Sequence, residues 1–398
     1  MTLKVAIVGC GKIADGHVEE IQKLAPRARV VAACDRELVM AEQLAVRYGV
    51  PATYTDASVM LMKERPDVVH VTTPPGAHLA LARQCVDSGA HVFVEKPLTL
   101  TYAESEELVE YVAAAGKKLT IGYSYHFEPP MNQLRDLLAR GELGEPVHVE
   151  TFYGYNLEGA FGKALLADPN HWVHALPGKL FHNTIDHALA KLIDFIPDDR
   201  PEIHAFGSVR RTKRYGDARD DLMDELRVVI RGARTSAYLT FSAGARPVGH
   251  FARVYGTKNT AHADFNNRTV ALDRAPTLPS AVGRLVPAFE SAAQYLREGT
   301  KNLSRFAGSR FHFFAGLGEL VSRFYASIET DAPLPIAPRD ILRVAWMMDE
   351  IFEQVDQHNR RAGQRASADG EIRSAVSSPP TPLHFVEGAD VSRKGVVS

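Results

Sequence analysis

The residues of this 398-residue chain best suited to chemistry begin at its front. Gly9-Cys10-Gly11-Lys12-Ile13-Ala14 lies between the apolar run 3–8 and a helical pattern. In that setting Gly9 permits a tight turn, Gly11 lets an anion approach the backbone, and small Ala14 lets the helix pack close to the strand. The unpaired N–H groups of the helix start would face a pyrophosphate, so Gly9, Gly11, Lys12 and Ile13 are candidate cofactor contacts. A second apolar run, 29–34, ends in Asp35, about twenty residues beyond the motif, where a carboxylate can accept both ribose hydroxyls of an adenosine. Its charge repels a 2′-phosphate and favours NAD, whereas Arg36 beside it could pair with that phosphate and admit NADP.

A parallel, doubly wound sheet must carry these residues. Residues 38–48 have helical periodicity, 67–71 read as a strand, 76–88 as a helix and 91–94 as a strand. A helix over 101–115 opens with Thr101 and Glu104, a capping-box pattern, and 118–122 read as a further strand. Short apolar strands alternating with helices predict an α/β fold. Ligands of such sheets sit beyond the strand C-termini. That selects the turn 9–14, Thr72-Thr73-Pro74-Pro75 and Glu95-Lys96-Pro97. Lys96 follows a wholly apolar strand, and Pro97 biases it away from helical backbone angles.

The length implies two domains. With 46 Lys and Arg against 48 Asp and Glu, there is no electrostatic footprint for nucleic acid. Cys10, Cys34 and Cys85 fall in strands or helices and read as reduced core thiols of a cytoplasmic protein. The N-terminus has no signal-peptide layout. No apolar run is long enough to span a bilayer, so no stable membrane insertion is expected.

Taken together, the glycine turn with His17, Thr73-Pro74-Pro75 with His78, and 89–97 ending in Glu95-Lys96-Pro97 resemble the Gfo/Idh/MocA oxidoreductases. The similarity is strong over about 3–127 and weaker to about 357. It implies an NAD(P)-binding Rossmann domain over 1–123. A substrate-binding α/β domain with a large, mostly antiparallel open sheet would follow over 124–360, making a homodimer or homotetramer through that sheet. By position, Lys96 matches the lysine that touches nicotinamide and substrate, and Thr72, Thr73, Pro74, His78 and Glu95 match cofactor contacts. Asn183 and His187 fall where relatives place Asp and His, aligned through Leu176-Pro177-Gly178, with Lys179 replacing a second glycine. His126 stands where relatives carry Arg, and with Trp172, Asn183 and His187 it is a candidate substrate contact.

In the second domain 147–156, 203–212, 222–231, 233–242, 251–255, 260–265 and 268–273 read as strands, with a hairpin turn at 264–268. A helix over 182–195 puts Asn183 and His187 on one face. The basic, amphipathic stretch 283–306 reads as a helix near the substrate site or at an oligomer interface. Helices over 311–330 and 339–358 close the fold, and 361–398 read as a disordered tail. His171, His174 and His182 lack a Cys partner, and no metal is expected.

Hydride leaves a carbinol carbon only as its hydroxyl proton is removed. His187 is the proton-transfer candidate. Lys96 would stabilise charge on the oxygen, and Asn183 would orient substrate hydroxyls. With Trp172 or Tyr155 for stacking, the resemblance implies NAD(P)-dependent oxidation or reduction of a polyhydroxylated substrate: a sugar, cyclitol or nucleotide sugar. Two alternatives are an NAD-dependent glycoside hydrolase working by transient oxidation and a non-catalytic dinucleotide or sugar sensor, the latter because Asn183 cannot take a proton.

Overall fold

The computed structural model describes residues 2–210, 222–275, 280–308 and 315–376. Six short strands, β1 (Leu3–Val8), β2 (Ala28–Cys34), β3 (Thr53–Tyr54), β4 (Val68–Val71), β5 (His91–Val94) and β6 (Leu119–Ile121), pair in parallel in the order β3-β2-β1-β4-β5-β6. Their connections carry helices α1 (Lys12–Gln22), α2 (Leu38–Tyr48), α3 (Ala57–Glu64), α4 (His78–Asp87) and α5 (Tyr102–Ala114). Val5, Ile7, Val69, Val71, Val92 and Phe93 are all buried, as a parallel sheet covered on both faces requires. The strand order reverses between β1 and β4, which opens a crevice at their C-terminal ends. At α5 the hydroxyl of Thr101 accepts the Glu104 N–H at 3.2 Å, and the Glu104 carboxylate reaches back to the N–H of Leu100 at 3.0 Å.

Two strand ends are locked together at that crevice. Gly9 has φ +94°, and a Cβ there would lie 2.8 Å from the Thr72 carbonyl carbon and the Thr73 nitrogen. The Thr72 hydroxyl donates to the Gly9 carbonyl at 2.5 Å. Gly11 differs: a Cβ there would meet nothing within 4 Å.

The second sheet has the order β13-β12-β11-β7-β10-β9-β8. Its members are β7 (Pro146–Gly154), β8 (Glu202–Ser208), β9 (Glu225–Arg231), β10 (Ser236–Ser242), β11 (His250–Gly256), β12 (Asn259–Asp264) and β13 (Thr269–Arg274). All neighbours are antiparallel except β7 and β10. Between β12 and β13 the Asp264 carboxylate accepts the Asn267 N–H at 2.9 Å, and Arg268 takes φ +51°. The strand expected to reach residue 212 ends at Ser208, and 211–212 lie outside the described residues.

Helix α6 (Pro129–Ala139) packs on β12 and β13, and α7 (Ala160–Ala167) packs against the turn Trp172–Ala175. The continuous helix expected over 182–195 is instead two single turns, α8 (Lys179–His182) and α9 (Asp186–Leu189), with Asn183 between them. The Thr184 hydroxyl donates back to the Leu180 carbonyl at 2.7 Å, a local bond that competes with a regular helix. Lys179 takes φ +47°, a left-handed conformation that a glycine adopts at less cost.

The amphipathic stretch forms α10 (Ser280–Ala307). It lies along edge strand β13, where the Gln294 side chain accepts from the Leu272 N–H at 2.7 Å and donates to its carbonyl at 3.0 Å. The helix thus covers a strand edge, and none of its described residues lines the cleft described below. Helix α11 (Ala315–Thr330) returns to the first sheet; the expected start at 311 falls outside the described residues. Helix α12 (Pro338–Val376) follows, with Asp349 accepting the Tyr102 N–H at 2.7 Å. Residues Met1–Val355 form one compact body carrying both sheets. Asp356–Ser398 count as a second unit, described as helix through Val376. Residues 361–376 therefore correct the expected tail: Ala, Arg, Gln and Glu favour helix there, while 377–398 lie outside the described residues.

Two measurements check these packing arguments. Gly9→Ala should lower the melting temperature by several degrees, reflecting backbone collision and strain of about 2 kcal/mol or more, whereas Gly11→Ala should leave it nearly unchanged. His182 is buried against Phe352, 5.1 Å between ring centroids. Burial, helped by the Lys96 charge, holds its pKa down to about 4 from 6.5 against the pull of the Thr99 carbonyl. Its contribution is therefore complete above pH 6.5 and lost as pH falls toward 4, because the unfolded chain binds a proton the native state refuses, worth about 3 kcal/mol at most. His182→Leu should flatten the fall of melting temperature over that window; an unchanged slope would contradict the assignment.

Candidate active site

A cleft of about 470 Å³ runs from the start of α1 to the turn between α8 and α9. Gly11, Lys12 and Ile13 line one end; Thr72, Thr73, Pro74, Glu95 and Lys96 line its middle; Trp172, Asn183 and His187 line the other. The strand ends thus bring together most of the residues selected from the sequence.

Glu95 is oriented by a buried chain. His17 Nε2 lies 2.8 Å from Glu95 Oε1, His17 Nδ1 lies 2.7 Å from His70 Nδ1, and His70 Nε2 lies 2.9 Å from the Tyr325 hydroxyl. One set of tautomers satisfies every link: Tyr325 donates to His70, His70 to His17, and His17 to Glu95. Burial alone would push the Glu95 carboxyl up, but the His17 hydrogen bond and the Lys96 charge hold it below its usual value. Burial keeps His70 well below the ordinary histidine value, with His17 adding to the effect. The carboxylate also presses on Gly122, where a Cβ would lie 2.5 Å from Oε1.

Lys96 follows in a cis bond to Pro97. Its ammonium donates to the backbone carbonyl of Asn183 at 2.7 Å, tying β5 to the segment that carries His187. The His187 ring packs edge-on to Tyr125, with centroids 4.6 Å apart, and tilted against Tyr153 at 5.3 Å. Its Nδ1 is buried without a partner. Burial first, then the charges of Lys96, Lys191 and His250, push its pKa well below 6.5. The imidazole is therefore neutral at pH 7 and free to accept a proton. Fully buried Asp186 accepts the His187 N–H at 2.8 Å, and its Oδ1 lies 4.0 Å from His187 Nδ1. Burial raises the Asp186 carboxyl to about 6 against the opposing pull of Lys96 and the His187 N–H.

Several expected contacts stand elsewhere. His78 braces two loops rather than lining the cleft: Nδ1 faces the carbonyls of Pro97 and Leu98 at 2.9 and 3.1 Å, and Nε2 faces that of Thr73 at 2.8 Å. His126 turns inward, with Nδ1 3.1 Å from the Ala190 carbonyl. The 3₁₀ turn Ser124–Phe127 gives the cleft Ser124 and Tyr125 instead. Tyr155 packs on Phe241 outside the cleft, at 6.4 Å between centroids. Asp35 ends β2 with its carboxylate accepting the Cys10 N–H at 2.7 Å and the Glu37 N–H at 3.0 Å; it, Gly9 and exposed Arg36 lie beyond the enclosed cleft. Glu128, Tyr125, Tyr153, Phe161 and Leu317 line the cleft without having been singled out. Only the alternation of β7, which turns Tyr153 inward, could have flagged one of them. Burial raises the Glu128 carboxyl, opposed by Arg268. Burial also holds Cys10, Cys34 and Cys85 at about 12, 11 and 12, as inert thiols. Among the described residues no group of three His, Cys, Asp or Glu converges as a metal site. None of their helices is long and apolar enough to cross a membrane.

The crevice fits a dinucleotide on its own evidence. The start of α1 has no side-chain cap, so its N–H groups are available to an anion. The space over Gly11 is open, and the Thr73 hydroxyl is buried in the cleft wall without a partner.

Residues 3–123 match a family model described as an oxidoreductase family with an NAD-binding Rossmann fold. D-glucoside 3-dehydrogenase of Escherichia coli K12 is 33% identical over 149 residues, which are 37% of this chain and 42% of that protein. Inositol 2-dehydrogenase 1 of Saccharopolyspora erythraea is 33% identical over 151 residues, 37% of this chain and 45% of that one. The chain thus matches less than half the length of these curated relatives. The WlbA dehydrogenase of Bordetella pertussis, solved with NADH and UDP-GlcNAcA, superposes with a TM-score of 0.72 at 16% identity, covering 90% of this chain and 96% of that one. An Agrobacterium radiobacter oxidoreductase solved with NAD+, L-tartaric acid and magnesium gives 0.70 at 14% identity, covering 89% and 96%. These likenesses extend the shared fold to nearly the whole chain.

Proposed function

Because residues 3–123 belong to the Gfo/Idh/MocA oxidoreductases, with their NAD-binding Rossmann fold, we propose that this protein is an NAD-dependent dehydrogenase or reductase. Its substrate is a hydroxyl-bearing carbon of a sugar, cyclitol or nucleotide sugar. The observation that carries the reading is one cleft holding the uncapped start of α1, the Lys96 ammonium and the neutral His187 imidazole. The names of the relatives, dehydrogenases of a glucoside and of inositol, support the substrate class.

NAD, when bound, supplies the hydride acceptor. The backbone at Gly11, Lys12 and Ile13 would hold its pyrophosphate, and Asp35 at the end of β2 would take the ribose hydroxyls. On the substrate side, His187 removes the hydroxyl proton as the carbonyl forms. Lys96 keeps donors to spare beyond its bond to Asn183 and stabilises the oxygen as charge builds. Asn183 offers both a donor and an acceptor to neighbouring hydroxyls, and the polar–aromatic wall of Tyr125, Tyr153 and Trp172 gives a sugar ring an apolar face to lie on.

The outer face of the second sheet carries Phe206 and Tyr238, each 51% exposed, and Val229, 40% exposed. We propose that this face pairs with a second copy of the chain, since such apolar surface on one sheet marks an interaction site.

Lys96→Ala and His187→Ala should each cut turnover on the substrate by about a hundredfold or more, while NAD binding by calorimetry persists. Near-wild-type rates in both would overturn the assignment, and release of free sugar without net NADH would point to a glycoside hydrolase. Sedimentation equilibrium should give at least a dimer, dissociated by Tyr238→Asp; a monomer at all concentrations would refute the pairing.

A further inference from the structure

Lys191 is a fully buried lysine that the reaction above does not use. Its ammonium donates to the backbone carbonyl of His187 at 2.7 Å and lies 2.5 Å from His250 Nε2. Three rings enclose it: Phe265 at 4.7 Å, Tyr125 at 5.0 Å and Tyr153 at 5.9 Å from Nζ to centroid. The cage rings are also the cleft wall, since Tyr125 and Tyr153 line the cavity and pack on the His187 ring. The groups facing the ammonium are Asp186 from α9, Glu128 and Tyr125 from the turn before α6, Tyr153 from β7 and His250 from β11.

A lysine is expensive to bury without a carboxylate in contact. Here the ammonium meets a carbonyl, an imidazole and π-faces, and the acids Asp186 and Glu128 act on it through space. Such a cation makes any added positive charge nearby unfavourable. The group beside it that must gain positive charge during catalysis is His187.

We propose that Lys191 is a positioning residue for proton transfer: its caged charge holds the His187 imidazole neutral and presses a proton taken up there back toward the substrate oxygen. This rests on the reading of His187 as the proton acceptor. Burial lowers the Lys191 ammonium to about 7, against the pull of Asp186 and Glu128, so the effect fades as pH rises through that value. Below that pH the charged lysine opposes the proton that His187 must carry to reduce a carbonyl. Oxidation of an alcohol, which needs His187 to accept one, is favoured above it.

The test is the titration of His187, followed by NMR of the full chain carrying ¹³C-labelled histidine, with the signal assigned by its loss in His187→Asn. In the wild type the ring should stay neutral to well below 6.5, its ordinary value. In Lys191→Met its midpoint should rise by about one pH unit, and the acidic limb of kcat/KM for oxidation should move by the same amount, with the KM for NAD unchanged. A midpoint and a limb that do not move would overturn the proposal. Should Lys191→Met fail to fold, a wild-type His187 titrating at or above 6.5 would overturn it equally. The NMR readout needs no substrate, so it stands apart from the failure of the dehydrogenase reading, which would appear as absent turnover with an intact titration.

Discussion

The bond from the Lys96 ammonium to the Asn183 carbonyl, 2.7 Å long, holds the two halves of the site in register. Lys96 sits at the end of β5 in the parallel sheet, and Asn183 sits in the turn between α8 and α9. Without a fixed distance between them, the lysine and His187 could not address one oxygen atom. The structure spends several devices on this alignment. Glu95, directly before the lysine, is locked by the line His17–His70–Tyr325, which reaches across to α11. His78 packs between the loop after Pro97 and the loop holding Thr73, its single N–H donating to a carbonyl of one of them. These are buried hydrogen bonds, each costly to leave unmade, so the strand ends behave as one rigid piece.

Desolvation then sets the chemistry. The same burial that lowers His187 raises Asp186 and Glu128 and lowers Lys191. Groups that would carry full charge in water are moved toward the pH range in which protons are exchanged, as functional sites commonly require. The aromatic wall of Tyr125 and Tyr153 excludes water from the imidazole and makes the nearby charges count for more.

The sequence made the first sheet legible because its signals are local: an apolar strand, a glycine turn and a helix start must lie in that order to mean anything. Gly9, Gly11, Lys96, Asn183 and His187 could be selected for the same reason, by motif and spacing. The limits are equally physical. His78 and His126 carry the right chemistry, but whether a ring faces a cleft or a backbone carbonyl is decided by tertiary packing. The helix expected through Asn183 and His187 is interrupted after His182, where Thr184 bonds back to Leu180, a local contact that spacing alone does not reveal. Lys179 takes a left-handed backbone, φ +47°, a conformation that its residue type does not announce. Asp186 and Lys191 are not legible as site residues in the sequence, because a charged side chain is rarely buried and only the structure shows the cage around it. The edge-covering role of α10 depends on Gln294 meeting Leu272, which no periodicity announces.

The central claim is that the nicotinamide of NAD comes to rest between the Lys96 ammonium and the His187 imidazole. A crystal structure of the protein with NAD and a bound polyol tests it most directly. The pyrophosphate should lie on the N–H groups at Gly11–Ile13, with the nicotinamide C4 and a substrate carbon about 3–3.5 Å apart and the substrate oxygen within hydrogen-bonding reach of both side chains. A nicotinamide ring lodged away from Lys96, or a substrate hydroxyl that touches neither group, would contradict it.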